Sequence, residues 1–272
     1  MIENNFNDAL HSMSLSEDGS FTAYSKEYGE HYHSTKDGAL YESLIKHIVP
    51  ALNIQKDKEE LNILDICFGL GFNTLATIYY LKQNNLTTKV NIYSPELDRD
   101  LVNSLKDFTY PKEFESIQHI ILEIISNGFY TDEQFHIEVF LGDAREYILN
   151  FEEAKFDIVY QDAFSPSSNP ILWTQEYFAD IKRIIKEEAV LTTYSIALAT
   201  RLALYENDFN IYINSGKDYR DATLASPSKL DGFKVVDMIH KISCNPDAKS
   251  LRDESHSKIL HQIAQTSFHR HH

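Results

Sequence analysis

The stretch LNILDICFGLGFNT, residues 61–74, decides how the fold is read. Leu61, Ile63, Leu64 and Ile66 make a short apolar run suited to a central parallel strand covered on both faces. Gly69 and Gly71 then allow a sharp turn and a close approach of backbone to a ligand that a Cβ would push away. From residue 73 to residue 81 the apolar spacing turns helical, with Leu75, Ile78 and Leu81 on one face. Strand, tight turn and helix in that order form the unit of nucleotide-binding α/β folds.

Three readings of the turn stand side by side. A dinucleotide fingerprint wants G-x-G-x-x-G and fails at its last position, where Thr74 stands. S-adenosylmethionine enzymes carry an acid and then G-x-G-x-G. Asp65, Cys67, Gly69 and Gly71 fall on those steps, with Cys67 in place of the first glycine and Asn73 opening the helix. The third reading is an ordinary α/β turn without a ligand. Acids at the ends of the next strands favour the second. A strand at residues 90–94 runs into Glu96 and Asp98, and an acid there accepts hydrogen bonds from ribose hydroxyls. Glu96 is the candidate for that role, and Asp98 caps the next helix. A third strand, residues 137–141, ends at Asp143 and Ala144, where an acid can hold an adenine amino group or cap the helix 144–150.

The fourth strand, residues 156–160, carries the chemistry. It is apolar apart from Asp157 and leads into Gln161, Asp162, Ala163, Phe164, Ser165 and Pro166, with Asn169 and Pro170 beyond. Ligands of open α/β sheets sit beyond the carboxyl ends of the strands, so Asp162 is expected in the crevice that holds the cofactor. Pro166 and Pro170 stiffen the loop by restricting the residues before them. An Asx-turn that merely starts the loop is the alternative for Asp162.

Here the chain resembles a known family. The runs FDIVYQDAFSPSSNPILWTQEYF (156–178) and IKRIIKEEAVLTTYSIALATRLAL (181–204) are similar to the methyltransferase domain of the bacterial MnmC family. The shared marks are Asp162 to Pro166, Asn169, Pro170, Trp173, Thr174 and the strand at Thr192. YGEHYHSTKDGALYES (28–43) is similar to that family's amino-terminal segment, and residues 65–73 to its cofactor loop. The resemblance spans residues 20–226. It implies S-adenosylmethionine as cofactor and transfer of a methyl group to the aminomethyl group on wobble uridine of tRNA. In such a transfer the nitrogen becomes positive, so a carboxylate beside it, Asp162, is stabilising where charge develops. Tyr32, His33, Phe164, Pro166, Trp173, Lys217 and Arg220 are the candidate acceptor-side residues. Family members are often fused to a flavin-dependent oxidoreductase, for which this chain is too short, so a separate FAD enzyme is the expected source of the acceptor. The family's late Gly-Phe-Gly and Lys-Arg pattern is replaced by residues 214–220, where Gly216 and Arg220 keep part of it.

Elsewhere, Phe114, Ile117, Ile120, Ile121, Ile124 and Ile125 read as a helix-like insertion between residues 107 and 134. Residues 190–194 read as a fifth strand, 196–205 as a helix and 210–214 as a sixth strand, with further strands at 222–225 and 233–238. The expected fold is α/β, a Rossmann-like class I methyltransferase with a mostly parallel doubly wound sheet and an antiparallel edge hairpin. The expected organisation is a segment 1–52 packing on the core, a core 53–239 and an extension 240–272.

Charge pulls against an RNA partner. The 272 residues hold 25 Lys or Arg against 41 Asp or Glu, a formal net charge of -16, whereas nucleic-acid binders gain affinity from a basic face. Lys182, Arg183 and Lys186, read onto the helix after Trp173, with Lys217 and Arg220, form one candidate contact patch, and the residues from His240 onward a second. The charge favours a rival reading, a methyl- or aminopropyl-transferase on a small polyamine-like amine. A non-catalytic scaffold with a nucleotide-like fold is the other rival, supported by Cys67 alone. Two cysteines, Cys67 and Cys244, give no disulfide framework, and no metal-ligand spacing is present. MIENNFNDAL has acids where a signal peptide carries lysines, and no apolar run approaches ~18 residues, so a cytoplasmic protein with no membrane partner is expected.

Overall fold

The computed structural model describes residue 6, residues 10–216 and residues 219–256. Three strands, β1 (His11–Leu15), β2 (Phe21–Ser25) and β3 (Glu30–His31), form a small antiparallel meander. A helical run follows as Ala39–Ser43, the π-turn Leu44–Ile48 and Val49–Ile54. The remaining strands are β4 (Glu60–Ile66), β5 (Lys89–Glu96), β6 (Phe129–Thr131), β7 (Phe135–Leu141), β8 (Phe156–Gln161), β9 (Ile185–Thr193), β10 (Asn210–Asn214), β11 (Ala222–Ser226) and β12 (Lys234–Val235). They make one sheet in the order β12-β10-β11-β9-β8-β4-β5-β7-β6.

The five strands from β9 to β7 in that order run parallel, and the four outer ones pair antiparallel with their neighbours. This is the doubly wound sheet with an antiparallel hairpin edge that the alternation predicts. Apolar residues cover both faces. Leu61 and Ile63 of β4 join one cluster with Ala39, Ile48, Leu75 and Ile121. Leu64 and Ile66 join another with Val159, Phe178 and Leu191. The residues before 52 therefore contribute to the same core as the sheet.

Sequence and structure part in three places. The insertion is a 3-10 turn Lys112–Phe114 and a helix His119–Asn127, ended by Gly128 at φ 80° and followed by the unforeseen strand β6. Strand β9 begins at Ile185, five residues before the apolar run at 190. Lys186 therefore lies on a strand and not on the preceding helix, which ends at Ile184. It is held there by Asp157 of β8, with both Nζ to carboxylate distances at 2.9 Å. At 233–238 only Lys234 and Val235 form a strand, because Asp237 caps a helix Met238–Cys244 by accepting from His240 N at 2.9 Å.

Candidate active site

The glycine turn builds the floor of a cleft at the carboxyl ends of the parallel strands. Cys67, Gly69 and Gly71 all have left-handed backbone, at φ 68°, 55° and 75°. Cys67 thus adopts a conformation that favours glycine, at the position where the acid-Gly-x-Gly-x-Gly pattern has one. At Gly69 a Cβ would meet the Tyr32 ring at 3.2 Å, so the close approach read from the sequence is partly to a side chain of the amino-terminal segment. Burial pushes the Cys67 thiol far up, and Glu96 and Asp162 add to it, so it stays a neutral packing group.

Asp65 is buried. Its carboxylate accepts from Asn73 Nδ2 at 3.2 Å and from Thr74 Oγ1 at 3.1 Å. Burial and the charge of Asp162 push its carboxyl up to about 8, against the pull of those two hydrogen bonds. Glu96 accepts from Gly69 N at 2.8 Å and Asp98 N at 2.9 Å, and burial raises its carboxyl too. Asp143 lines the cleft and caps its helix, accepting from Arg145 N at 2.7 Å. The helix-cap reading of Asp143 is thus met, and the same side chain lies on the cleft wall.

Asp162 stands just past β8 with its side chain 13 % exposed. Asn73 Nδ2 donates to it at 2.9 Å, and His47 Nε2 lies 3.4 Å away. Burial alone would raise its carboxyl, but His47, His33 and the Asn73 amide more than reverse that and hold it below the ordinary carboxylate value. His47, which the sequence reading missed, sits in the π-turn, an element enriched at functional sites. It is buried, its Nδ1 lies 2.8 Å from Thr192 Oγ1, and its ring stands edge-on to Tyr160. The only local signal was a pair of ionisable residues, Lys46 and His47, inside the otherwise apolar run at 44–49.

The wall of the cleft expected to face the acceptor is aromatic. Phe164 stacks on Tyr28 at 4.5 Å and touches Tyr32 at 4.9 Å. Tyr32 OH lies 3.1 Å from His11 Nε2. His33 lines the cleft with its ring edge-on to Phe72 at 5.1 Å, and burial lowers its basicity although Asp162 and Glu42 act to raise it. Glu30, also missed, holds the loop after β8 by accepting from Ser165 N at 3.0 Å and from the hydroxyls of Ser165 and Ser168.

Two expected acceptor contacts are corrected. Trp173 is 0 % exposed and donates from Nε1 to Phe164 O at 2.8 Å, so it props the loop from within the core. Pro166 lies on that loop without lining the cleft. Arg220 does line it, and Lys217 falls outside the described residues. The expected basic patch is also engaged internally. Lys186 pairs with Asp157, Arg183 donates to Phe151 O at 2.7 Å and Ile148 O at 3.2 Å, and Lys182 lies over the Phe209 ring. In the carboxy-terminal segment Arg252 pairs with Glu176 at 2.7 Å.

The cleft has a volume of about 1070 Å³. Among the described residues it is lined by nine Asp or Glu against Lys36, Lys46 and Arg220. Asn73 Oδ1, on a residue of that lining, is buried without a partner. An acidic cleft with a spare acceptor suits a ligand bearing a sulfonium and an ammonium group, and the acids at three strand ends are the groups able to hold its hydroxyls and amines.

Comparison with known proteins agrees. Residues 112–227 match a family described as S-adenosyl-L-methionine-dependent methyltransferase. An uncharacterized protein of Methanocaldococcus jannaschii, MJ0670, is 31% identical over 204 residues, which cover 74% of this chain and 55% of that protein. The tRNA 5-methylaminomethyl-2-thiouridine biosynthesis bifunctional protein MnmC of an Azoarcus species is 28% identical over 215 residues, 74% of this chain and 33% of its own length. The chain thus spans between about half and a third of these curated relatives. The crystal structure of MNMC2 from Aquifex aeolicus superposes with a TM-score of 0.80 at 32% identity, over 93% of this chain and 82% of that one. With this fold, this cleft and that match, the chain belongs to the S-adenosyl-L-methionine-dependent methyltransferases of the MnmC type.

Proposed function

We propose that this methyltransferase acts on the aminomethyl group of wobble uridine in tRNA, yielding methylaminomethyl-uridine, with Asp162 beside the accepting nitrogen. The observation that carries the reading is Asp162 itself, an ionised carboxylate lining the cleft, hydrogen-bonded by Asn73 and backed by His47, with Phe164 also in the lining. S-adenosylmethionine supplies the methyl group. Glu96 takes the ribose hydroxyls, Asp143 and Ala144 the adenine edge, and Asp65, Cys67, Gly69, Gly71 and Asn73 the turn beneath the methionyl part. Asp162 accepts an N–H of the acceptor amine, directs its lone pair inward and stabilises the positive charge that grows on nitrogen. His47 keeps Asp162 ionised, and Tyr32, His33 and Phe164 shape the acceptor side. Alignment of two bound reactants is the other large contribution, up to ~7 to 11 kcal/mol in well-oriented cases. A separate FAD-dependent oxidoreductase supplies the acceptor, and the work is done in the cytoplasm. No helix among the described residues is long and apolar enough to cross a membrane.

A small polyamine-like acceptor is the second reading, favoured by the nine carboxylates around the cleft. Labelled S-adenosylmethionine separates the two. Incubation with tRNA bearing aminomethyl-uridine should place label in the RNA, in a nucleoside that digestion identifies as methylaminomethyl-uridine. Label found in polyamine while the RNA stays cold would overturn the proposal.

A further inference from the structure

We infer that residues 251–253 of the carboxy-terminal segment are a positioning element of the cofactor cleft, in which Asp253 acts through the Arg145 guanidinium on the subsite for the adenine ring. This rests on the reading of Asp143 and Ala144 as the adenine wall. Arg145 comes directly after those two residues, and its Nη1 also donates to Ile171 O at 3.3 Å. Ile171 and Leu172 line the same cleft. One guanidinium therefore ties together two lining segments that are far apart in the chain.

That guanidinium is in turn aimed by Asp253. Nη1 meets Oδ1 at 2.6 Å and Nη2 meets Oδ2 at 2.7 Å, a two-pronged fork that fixes orientation as well as distance. Asp253 is itself held in register. Its carboxylate accepts from Thr174 Oγ1 at 2.7 Å, and its amide donates to Glu176 at 3.1 Å. Gln175 N donates to Leu251 O at 2.9 Å, and Thr174 and Leu251 form a parallel bridge. The pair is only partly exposed, 18% for Arg145 and 27% for Asp253, so water competes weakly for the fork. Residues 251–253 lie beyond the matched family span of 112–227. They add to this chain a support for the cleft from outside that span.

The test uses the full chain and needs no acceptor. Calorimetry measures binding of S-adenosylhomocysteine and of its inosine counterpart, which lacks the adenine amino group, while melting temperature reports fold stability. The wild type should prefer the adenosyl ligand. Asp253→Asn and Arg145→Lys should each weaken adenosyl binding by about fivefold and narrow that preference. The reversed pair, Arg145→Asp with Asp253→Arg, should restore part of it. A staple that only steadies the helix Gln175–Ile184 would lower the melting temperature and leave the preference intact, which would overturn the inference. A wild type that does not discriminate the two ligands would sink the adenine wall, and this proposal with it.

Discussion

Asp65 on β4 and Asp162 just past the neighbouring β8 are both hydrogen-bonded by the same Asn73 amide nitrogen, at 3.2 and 2.9 Å, yet they titrate in opposite senses. Asp65 is 1% exposed, its hydrogen-bond partners are neutral, and its carboxyl is pushed up to about 8. Asp162 has His47 at 3.4 Å and His33 nearby, and its carboxyl is held down. Residue type is the same, so the difference comes from surroundings: desolvation penalises a charge unless an opposite charge answers it. At neutral pH the negative charge of the pair therefore sits on Asp162, the member proposed above to stand beside the accepting amine.

The largest expected effect comes from removing that charge. Asp162→Asn should lower kcat for methyl transfer by about 100-fold or more, while affinity for S-adenosylhomocysteine stays within about tenfold. It should also bring Asp65 below about 8, since the charge of Asp162 is part of what raises it. Unchanged turnover would remove Asp162 from its role.

Asp65→Asn sharpens the other side of the comparison. A carboxyl raised in the folded state stabilises the fold fully at acid pH, and that stability is lost as pH rises to the folded value. From about pH 4 to about 8 the wild type should lose up to ~1.4 kcal/mol per pH unit on account of this group. Asp65→Asn should remove that slope, and stabilities from denaturant titrations that fall with pH equally in wild type and variant would contradict it. His47→Gln should let the Asp162 carboxyl rise, moving the acidic limb of the kcat/KM profile up by about one pH unit. An unmoved limb would break the link between the two residues. Thr192→Val, which removes the hydroxyl 2.8 Å from His47 Nδ1, should act in the same direction with a loss of roughly threefold in kcat/KM.

Local features are the legible ones. The strand at 61–66, the left-handed glycines and the helix after them follow from spacing and from backbone conformations within fourteen residues. The start of β9 does not, because Lys186, Glu187 and Glu188 look like a polar helix end until Asp157 is placed across from them. Trp173 lies in the run that resembles the family, yet its indole turns inward to hold Phe164 O. Glu30 and His47 are invisible in the sequence because their partners lie 135 and 145 residues away along the chain.

By itself, then, the order of residues determined the α/β framework, the acidic tips of its strands and the place of Asp162 just past the fourth strand of the core, since hydrophobic period and turn chemistry act over short stretches. Only the tertiary structure decided which carboxylate stays ionised, which aromatic ring faces the cleft and where the carboxy-terminal segment is clamped. Those outcomes depend on burial and on charges brought together from distant parts of the chain, and a charge cannot be weighed until its neighbours are in place.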